Sequence, residues 1–368
     1  MRIERIELRH VRLVLVAPFV TSMGVEVDEE HIIVRVDAEG VTGWGESVAE
    51  GTPFYSYETT QTAWHILRDF LVPGILGRDL ASVDQAIALN AKVRGHMMAK
   101  AGLESALWDA FAKAAGLSLS KMLGGVRERI EVGVSIGIQP TPAELLKKIA
   151  GYLEEGYRRI KIKIAPGCDL EFVKAVRLEH PDIPFQVDAN SAYELDDVGV
   201  FRAMDEERLL LIEQPLSHDD IYEHSKLQRE LKTPICLDES IHSLADARAA
   251  LELGSCRVIN IKPGRVGGFT ESKRIHDLCA LRGVPVWHGG MLESGIGRAG
   301  NVALASLPNF TLPGDISASR RYYREDIVTP EFEVARDGTM AVPTGPGIGV
   351  EVVADRLDKV TLRREVFQ

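Results

Sequence analysis

The sequence predicts an α/β protein whose larger part is a closed parallel (β/α)8 barrel and whose N-terminal part is a separate α+β domain. Three observations predict it. A short apolar segment ending in charge recurs about every 25 residues between Lys161 and Lys262, with amphipathic helical sequence between the copies. Residues 2–16 and 31–47 alternate like antiparallel strands, and helical patterning follows them without further strands. At 368 residues the chain also has room for a barrel of about 250 residues and a smaller domain.

In chain order, Ile3, Ile6, Leu8, Val11, Leu13 and Leu15 mark the first strand region, and residues 31–47 form two runs about a turn at 37–40. Between them residues 18–24 read as a loop carrying Phe19 and Met23, and residues 51–55 as a second loop ending in Tyr55. Helices are expected at about 57–71 and 83–115, the second with Leu103, Leu107, Ala110 and Phe111 as its core stripe. A boundary near Gly124 and Gly125 separates a capping domain, 1–125, from a barrel, 126–321. The first barrel strand is expected at 131–137, and Thr141, Pro142 and Glu144 form a helix start with a capping box. Strands two to six follow at 159–164, 185–190, 211–215, 235–240 and 258–263. The seventh is 284–287, opening into residues 289–294, and a less regular eighth lies near 310–315. The tail, 322–368, leaves the repeat and is expected to pack back on the first domain.

Parallel strands are covered on both faces and read as continuous apolar runs, yet Lys161, Lys163, Asp188, Glu213, Asp238 and Lys262 break these runs at equivalent points. Side chains alternate faces, so Lys161 and Lys163 point one way while Ile160, Ile162 and Ile164 point the other. A lone Lys-Ile-Lys-Ile run also suits a half-exposed edge strand, and a lone strand-end acid suits a helix cap. Three acids at near-constant spacing beside two lysines leave those readings little room. Asp188, Glu213 and Asp238 would form an oxygen-rich pocket for a hard divalent cation such as Mg2+ or Mn2+. Asn190 and Glu239 are candidates for the layer behind them.

Lys163 and Lys262, on strands two and six of a closed barrel, would approach a central substrate from opposite sides. That arrangement suits removing a proton from one face of a carbon and returning it on the other. A carbon α to a carboxylate is a very weak acid, and a metal on that carboxylate would stabilise the enediolate. The base must be neutral near pH 7, and burial beside Lys161 is expected to depress the pKa of Lys163.

These residues carry a resemblance. The series KIK, VDAN, IEQP, LDES and IKPGRVGG, followed by GGMLESGIGRAGN, resembles the enolase superfamily, its muconate lactonizing subgroup, and within that the N-acylamino acid racemase/o-succinylbenzoate synthase family. The resemblance implies a modified (β/α)7β barrel under an α+β cap built from the N-terminal part and the tail. It implies Asp188, Glu213 and Asp238 as metal ligands, Lys163 and Lys262 as acid/base lysines and Lys161 as their auxiliary. The cofactor it implies is Mg2+, with Mn2+ or Co2+ as substitutes, and the substrate a small carboxylate. Phe19, Met23 and Tyr55 should close over the substrate's side chain, with Ser135, Gly290, Met291, Asp315 and Tyr322 around the barrel rim. Homo-octamers or dimers are the family expectation.

The leading expectation is racemisation of N-acylamino acids, N-succinyl or other N-acyl derivatives of hydrophobic amino acids, because Phe19, Met23 and Tyr55 of the two capping loops offer an apolar cover. The alternative is o-succinylbenzoate synthesis, which shares the first half-reaction. Dipeptide epimerisation, with Asp315 receiving a free ammonium, muconate cycloisomerisation, a Schiff-base lyase and a non-catalytic scaffold are further alternatives.

Composition narrows the partners. A net charge of -11 with no basic cluster excludes nucleic acid. Four cysteines without a CxxC pair suit reduced thiols in a cytoplasmic protein, two of them buried in or near barrel strands. No signal peptide or membrane-spanning run is visible, so a soluble cytoplasmic protein is expected. Gly295, Gly297 and Gly300 fit GxGxxG with Asp315 beyond, but a dinucleotide fingerprint should follow its strand directly, and here residues 289–294 intervene. His288, beside the end of strand seven, is read as a surface or core histidine in preference to a ligand.

Overall fold

The alternation at the N-terminus produces a long hairpin in the computed structural model, which describes residues 1–368. Strand β1 (Arg5–Thr21) pairs antiparallel with β2 (Gly24–Ala38), which pairs with β3 (Val41–Ser47). Glu39 and Gly40, at φ 50° and 80°, make the two-residue turn that matches strand twist. The expected loop at 18–24 is instead the far end of the hairpin, with Phe19 opposite Glu26 and Thr21 opposite Gly24. The register slips between Val14 and Phe19, where Pro18 can donate no ladder hydrogen bond. The expected helix at 83–115 is two helices, Val83–Leu89 and Met97–Ala114, because Gly95 and His96 turn the chain left-handed at φ 64° and 53°. The longer helix lies tight on β3: a Cβ on Gly43 would meet the Ala106 carbonyl oxygen at 2.1 Å.

The repeat forms a parallel sheet of seven strands in chain order: β4 (Val134–Ile136), β5 (Ile160–Lys163), β6 (Phe185–Asp188), β7 (Ile212–Glu213), β8 (Ile235–Leu237), β9 (Val258–Ile261) and β10 (Val286–His288). The irregular eighth segment closes the ring. Asp315 N donates to His288 O at 2.8 Å on one side, and Gly133 N donates to Gly314 O at 2.7 Å on the other. The fold is thus a parallel barrel closed by an irregular eighth segment beneath an α+β cap, as the resemblance implied. The first barrel strand is shorter than expected: Arg129–Glu131 pairs instead with Thr339–Ala341, and the chain breaks at Gly133, against which the Arg159 guanidinium packs.

Thr141 caps the helix Pro142–Glu155 and accepts from Glu144 N, the half of the expected capping box that forms, while Glu144 makes no return bond to Thr141 N. At the C-terminus β11 (Thr361–Phe367) adds to β1, giving a four-stranded sheet ordered β11-β1-β2-β3. The apolar core divides into a barrel cluster and a cap cluster, and Met291 of the loop after β10 packs in the cap cluster. That loop therefore ties the two halves together above the barrel mouth. All four cysteines are free, and Cys236, Cys256 and Cys279 are buried. No helix is long and apolar enough to cross a membrane.

Candidate active site

Strand register puts the chemistry at one level. Lys163 lies opposite Asp188, and Asp188 opposite Glu213, on three neighbouring strands. Just past each of these acids the chain turns left-handed, at Asn190 (φ 41°) and Gln214 (φ 35°), strained positions of a kind that functional sites keep. Gln214 then braces the next strand end, accepting from Asp238 N at 3.0 Å and donating to Ser240 Oγ at 2.6 Å. Lys161, Asp188, Glu213, Asp238 and Lys262 are all buried.

The charges are interlocked. Lys161 Nζ lies 3.0 Å from Asp188, 2.8 Å from Glu213 and 2.5 Å from Asp315. Lys163 donates to Asp188 at 2.7 Å and to Asn190 Oδ1 at 2.6 Å, and Asn190 Nδ2 donates to Glu239 at 2.9 Å. Lys262 lies 2.8 Å from Asp238, which also pairs with Arg265. Burial raises the Asp188 carboxyl, but Lys163 and Lys161 outweigh it and hold it well below the usual range. Burial likewise opposes the Lys262 ammonium, yet Asp238 and Tyr55 raise its pKa well above that of an ordinary lysine. Glu239 is pushed up to about 7 by burial and by Asp238 and Asp188.

The three acids do not gather into a ready three-ligand metal group here, because each is turned onto its nearest cation. Mutual repulsion between buried anions is the physical reason. Their donor chemistry nevertheless suits a hard divalent ion, since every donor is a carboxylate oxygen. Burial, and then the charges of Asp188 and Asp238, push Glu213 well above the usual range.

One cavity at the barrel mouth brings together Phe19, Met23, Tyr55, Ser135, Gly290, Met291, Asp315 and Tyr322 with Lys161, Lys163, Asn190 and Lys262. Three corrections follow. Tyr55 is more than an apolar cover: its hydroxyl donates to Asp238 at 3.0 Å and accepts from Lys262 at 3.1 Å. Asp315 is no free rim carboxylate for an ammonium, being paired with Lys161 and, at 2.6 Å, with Arg159. Nor is the cover wholly apolar, since Glu26 and Glu50 line the same cavity. His288 is a buried packing residue against Phe310, and burial, then Lys262, lower its pKa to about 3.

Residues missed in the sequence include Asn260, which donates to Glu213 at 2.6 Å, and Arg265, which donates to Ile241 O at 2.7 Å. Asn260 stands two residues before Lys262, on the same face, so strand alternation could have found it. The GxGxxG segment opens helix Gly295–Ala305, but its N-terminus is filled by the Glu46 carboxylate, which accepts from Ser294 N at 3.0 Å and Gly297 N at 2.8 Å. A phosphate would have to sit where Glu46 is.

Residues 5–124 match the mandelate racemase/muconate lactonizing enzyme N-terminal domain, and residues 144–356 match the enolase C-terminal domain-like family. The chain belongs to the enolase superfamily. It is 54% identical, over 99% of its length and 97% of the relative's, to an o-succinylbenzoate synthase from Geobacillus stearothermophilus. It is 50% identical, over 98% of both chains, to an N-succinylamino acid racemase from Thermus thermophilus. A solved enolase-superfamily member from Listeria innocua superposes with a TM-score of 0.96 at 44% identity, covering 100% of this chain and 99% of that one. This chain is therefore an enzyme of a superfamily whose members bind a divalent metal.

Proposed function

We propose that this enolase-superfamily enzyme is an o-succinylbenzoate synthase, dehydrating the cyclic hydroxy-carboxylate precursor of that product. The observation that carries the reading is the pair Lys163 and Lys262 facing one cavity beside three strand-end acids. The sequence alone favoured racemisation; relatives at 54% and 51% identity bear the synthase name, against 50% and 49% for racemases, which reverses the order.

Lys163, held by Asp188 and Asn190, would take the proton α to the substrate carboxylate. The freed electron pair forms the new double bond as the neighbouring C–O bond breaks. Lys163 returns its proton to the departing hydroxide, and water leaves. Lys262, kept charged by Asp238, would offset the negative charge that builds on the substrate. Asp188, Glu213 and Asp238 would hold a divalent ion, Mg2+ or in its place Mn2+ or Co2+, which when bound supplies Lewis-acid stabilisation of the substrate carboxylate.

A second reading, racemisation of N-succinylamino acids at the same site, is favoured by the presence of two lysines, Lys163 and Lys262, in the lining of one cavity. Each would serve one enantiomer, and the other would return the proton. The test is formation of o-succinylbenzoate from its precursor with Mg2+ and with a chelator. Product that appears with metal and stops with chelator supports the synthase. No product, with exchange of N-succinylamino acids intact, leaves the racemase as the main activity.

A further inference from the structure

A second cavity, about 190 Å³ in volume, lies on the seam between cap and barrel and shares no lining residue with the cavity of Lys163 and Lys262. Leu71, Ile87, Met97, Leu103 and Leu107 of the cap and Val266 of the barrel give it apolar walls. An apolar cavity of about 150 Å³ holds one benzene molecule, so this one has room for a single ring with a small substituent. Its charged groups are mostly engaged. Lys100 Nζ donates to Val93 O at 2.6 Å, Arg274 lies 3.3 Å from Glu271, and Glu271 also accepts from Leu244 N at 2.7 Å. Glu104, 5% exposed, accepts from Thr270 N and Trp108 Nε1, each at 2.9 Å, through Oε1 alone. Its Oε2 is left without a donor. A Cβ at Gly268 would meet that oxygen at 1.3 Å, so the glycine is what gives it its place.

A buried carboxylate oxygen without a donor is costly, and a donor brought by a ligand removes that cost. Both signs of charge line the wall, Lys100 and Arg274 against Glu104 and Glu271, so neither a cation nor an anion gains a net attraction, and the apolar walls would strip either of water. We propose that this seam cavity is a second ligand site, for an uncharged one-ring aromatic bearing a hydroxyl group that donates to Glu104 Oε2. Met97, Leu103, Glu104 and Leu107 stand on the cap helix Met97–Ala114, while Val266 and Thr270 belong to the stretch that begins at Lys262. A molecule held there touches both halves and stabilises their docked arrangement as it fills the site. The site does not depend on which reaction the barrel mouth performs.

The experiment follows binding of 4-fluorophenol by fluorine NMR at pH 8, beside 4-fluoroanisole, whose methyl ether keeps the ring and removes the donor. The phenol should saturate with a Kd of about 1 mM, and the anisole should bind about tenfold more weakly. Ala91 lines the cavity and is exposed, so Ala91→Trp can place a ring in it from the rim without disturbing the core. That variant should lose phenol binding and keep wild-type turnover. Equal affinity for phenol and anisole, no saturation by about 10 mM phenol, or a Kd unchanged in Ala91→Trp overturns the inference.

Discussion

Removing the Lys161 ammonium by Lys161→Met is the sharpest perturbation of the site's charge balance. The ammonium lies within 3.0 Å of Asp188, Glu213 and Asp315 and is buried. Its loss falls unevenly: Asp188 keeps Lys163 and Asp315 keeps Arg159, but Glu213 keeps only the neutral Asn260. Taking one partner from a buried ion pair costs about 3–5 kcal/mol, because the other charge is left without compensation. Glu213 can escape by taking up a proton, and its carboxyl is already raised by burial and by Asp188. A group raised in the folded state gives stability at low pH that is lost as pH rises, so the penalty should be largest at high pH. Urea unfolding in chelator should show the variant less stable by about 3 kcal/mol at pH 8, with a smaller gap at pH 5. A gap under about 1 kcal/mol at pH 8, or one that widens on acidification, would refute the reasoning.

Three further outcomes follow from the geometry. Lys163→Ala should lower kcat for o-succinylbenzoate formation by about 10³-fold with the fold intact by circular dichroism, as expected for loss of a general base. Glu104, a buried residue of the cap helix Met97–Ala114 that accepts from Thr270 N, has a carboxyl pushed up to about 7 by burial against an unfolded value of 4.5. Its folded-state proton is therefore stabilising below pH 4.5 and lost as pH passes 7. Glu104→Gln should match wild type near pH 4.5 and gain roughly 3 kcal/mol at pH 8 in urea unfolding; an unchanged or lower midpoint at pH 8 would count against this. Glu46→Ala strips the acceptor from Ser294 and Gly297 and the partner of His31, and should cost about 3 kcal/mol in the same assay. It should also raise KM, because the loop carrying Gly290 and Met291 enters the helix that Glu46 caps.

What was legible in the sequence follows from burial. Lys161, Asp188, Glu213, Asp238 and Lys262 stand out because charge at the end of an apolar strand has no bland use when it recurs on successive strands. Glu26 and Glu50 do not stand out, because acids are ordinary on a half-exposed hairpin and in a loop. Which way Glu26 faces depends on the register after Pro18, and local pattern does not contain that slip. Tyr55 was legible as a loop aromatic, but the reach of its hydroxyl to Lys262 depends on how the cap sits over the barrel. Arg265 followed Lys262 in a noted motif, yet its burial against Asp238 and Ile241 O is a tertiary fact.

The central claim is that Lys163 takes the proton α to the substrate carboxylate and that Lys262, kept charged by Asp238, offsets the negative charge that follows. The most direct measurement is o-succinylbenzoate formation from its cyclic precursor, with Mg2+, in Lys163→Ala, Lys262→Ala and Lys262→Arg. The account predicts that Lys163→Ala loses nearly all turnover and that Lys262→Arg, which keeps the positive charge, retains more of it than Lys262→Ala. Turnover that survives largely intact in Lys163→Ala, or a Lys262→Arg no better than Lys262→Ala, would contradict it.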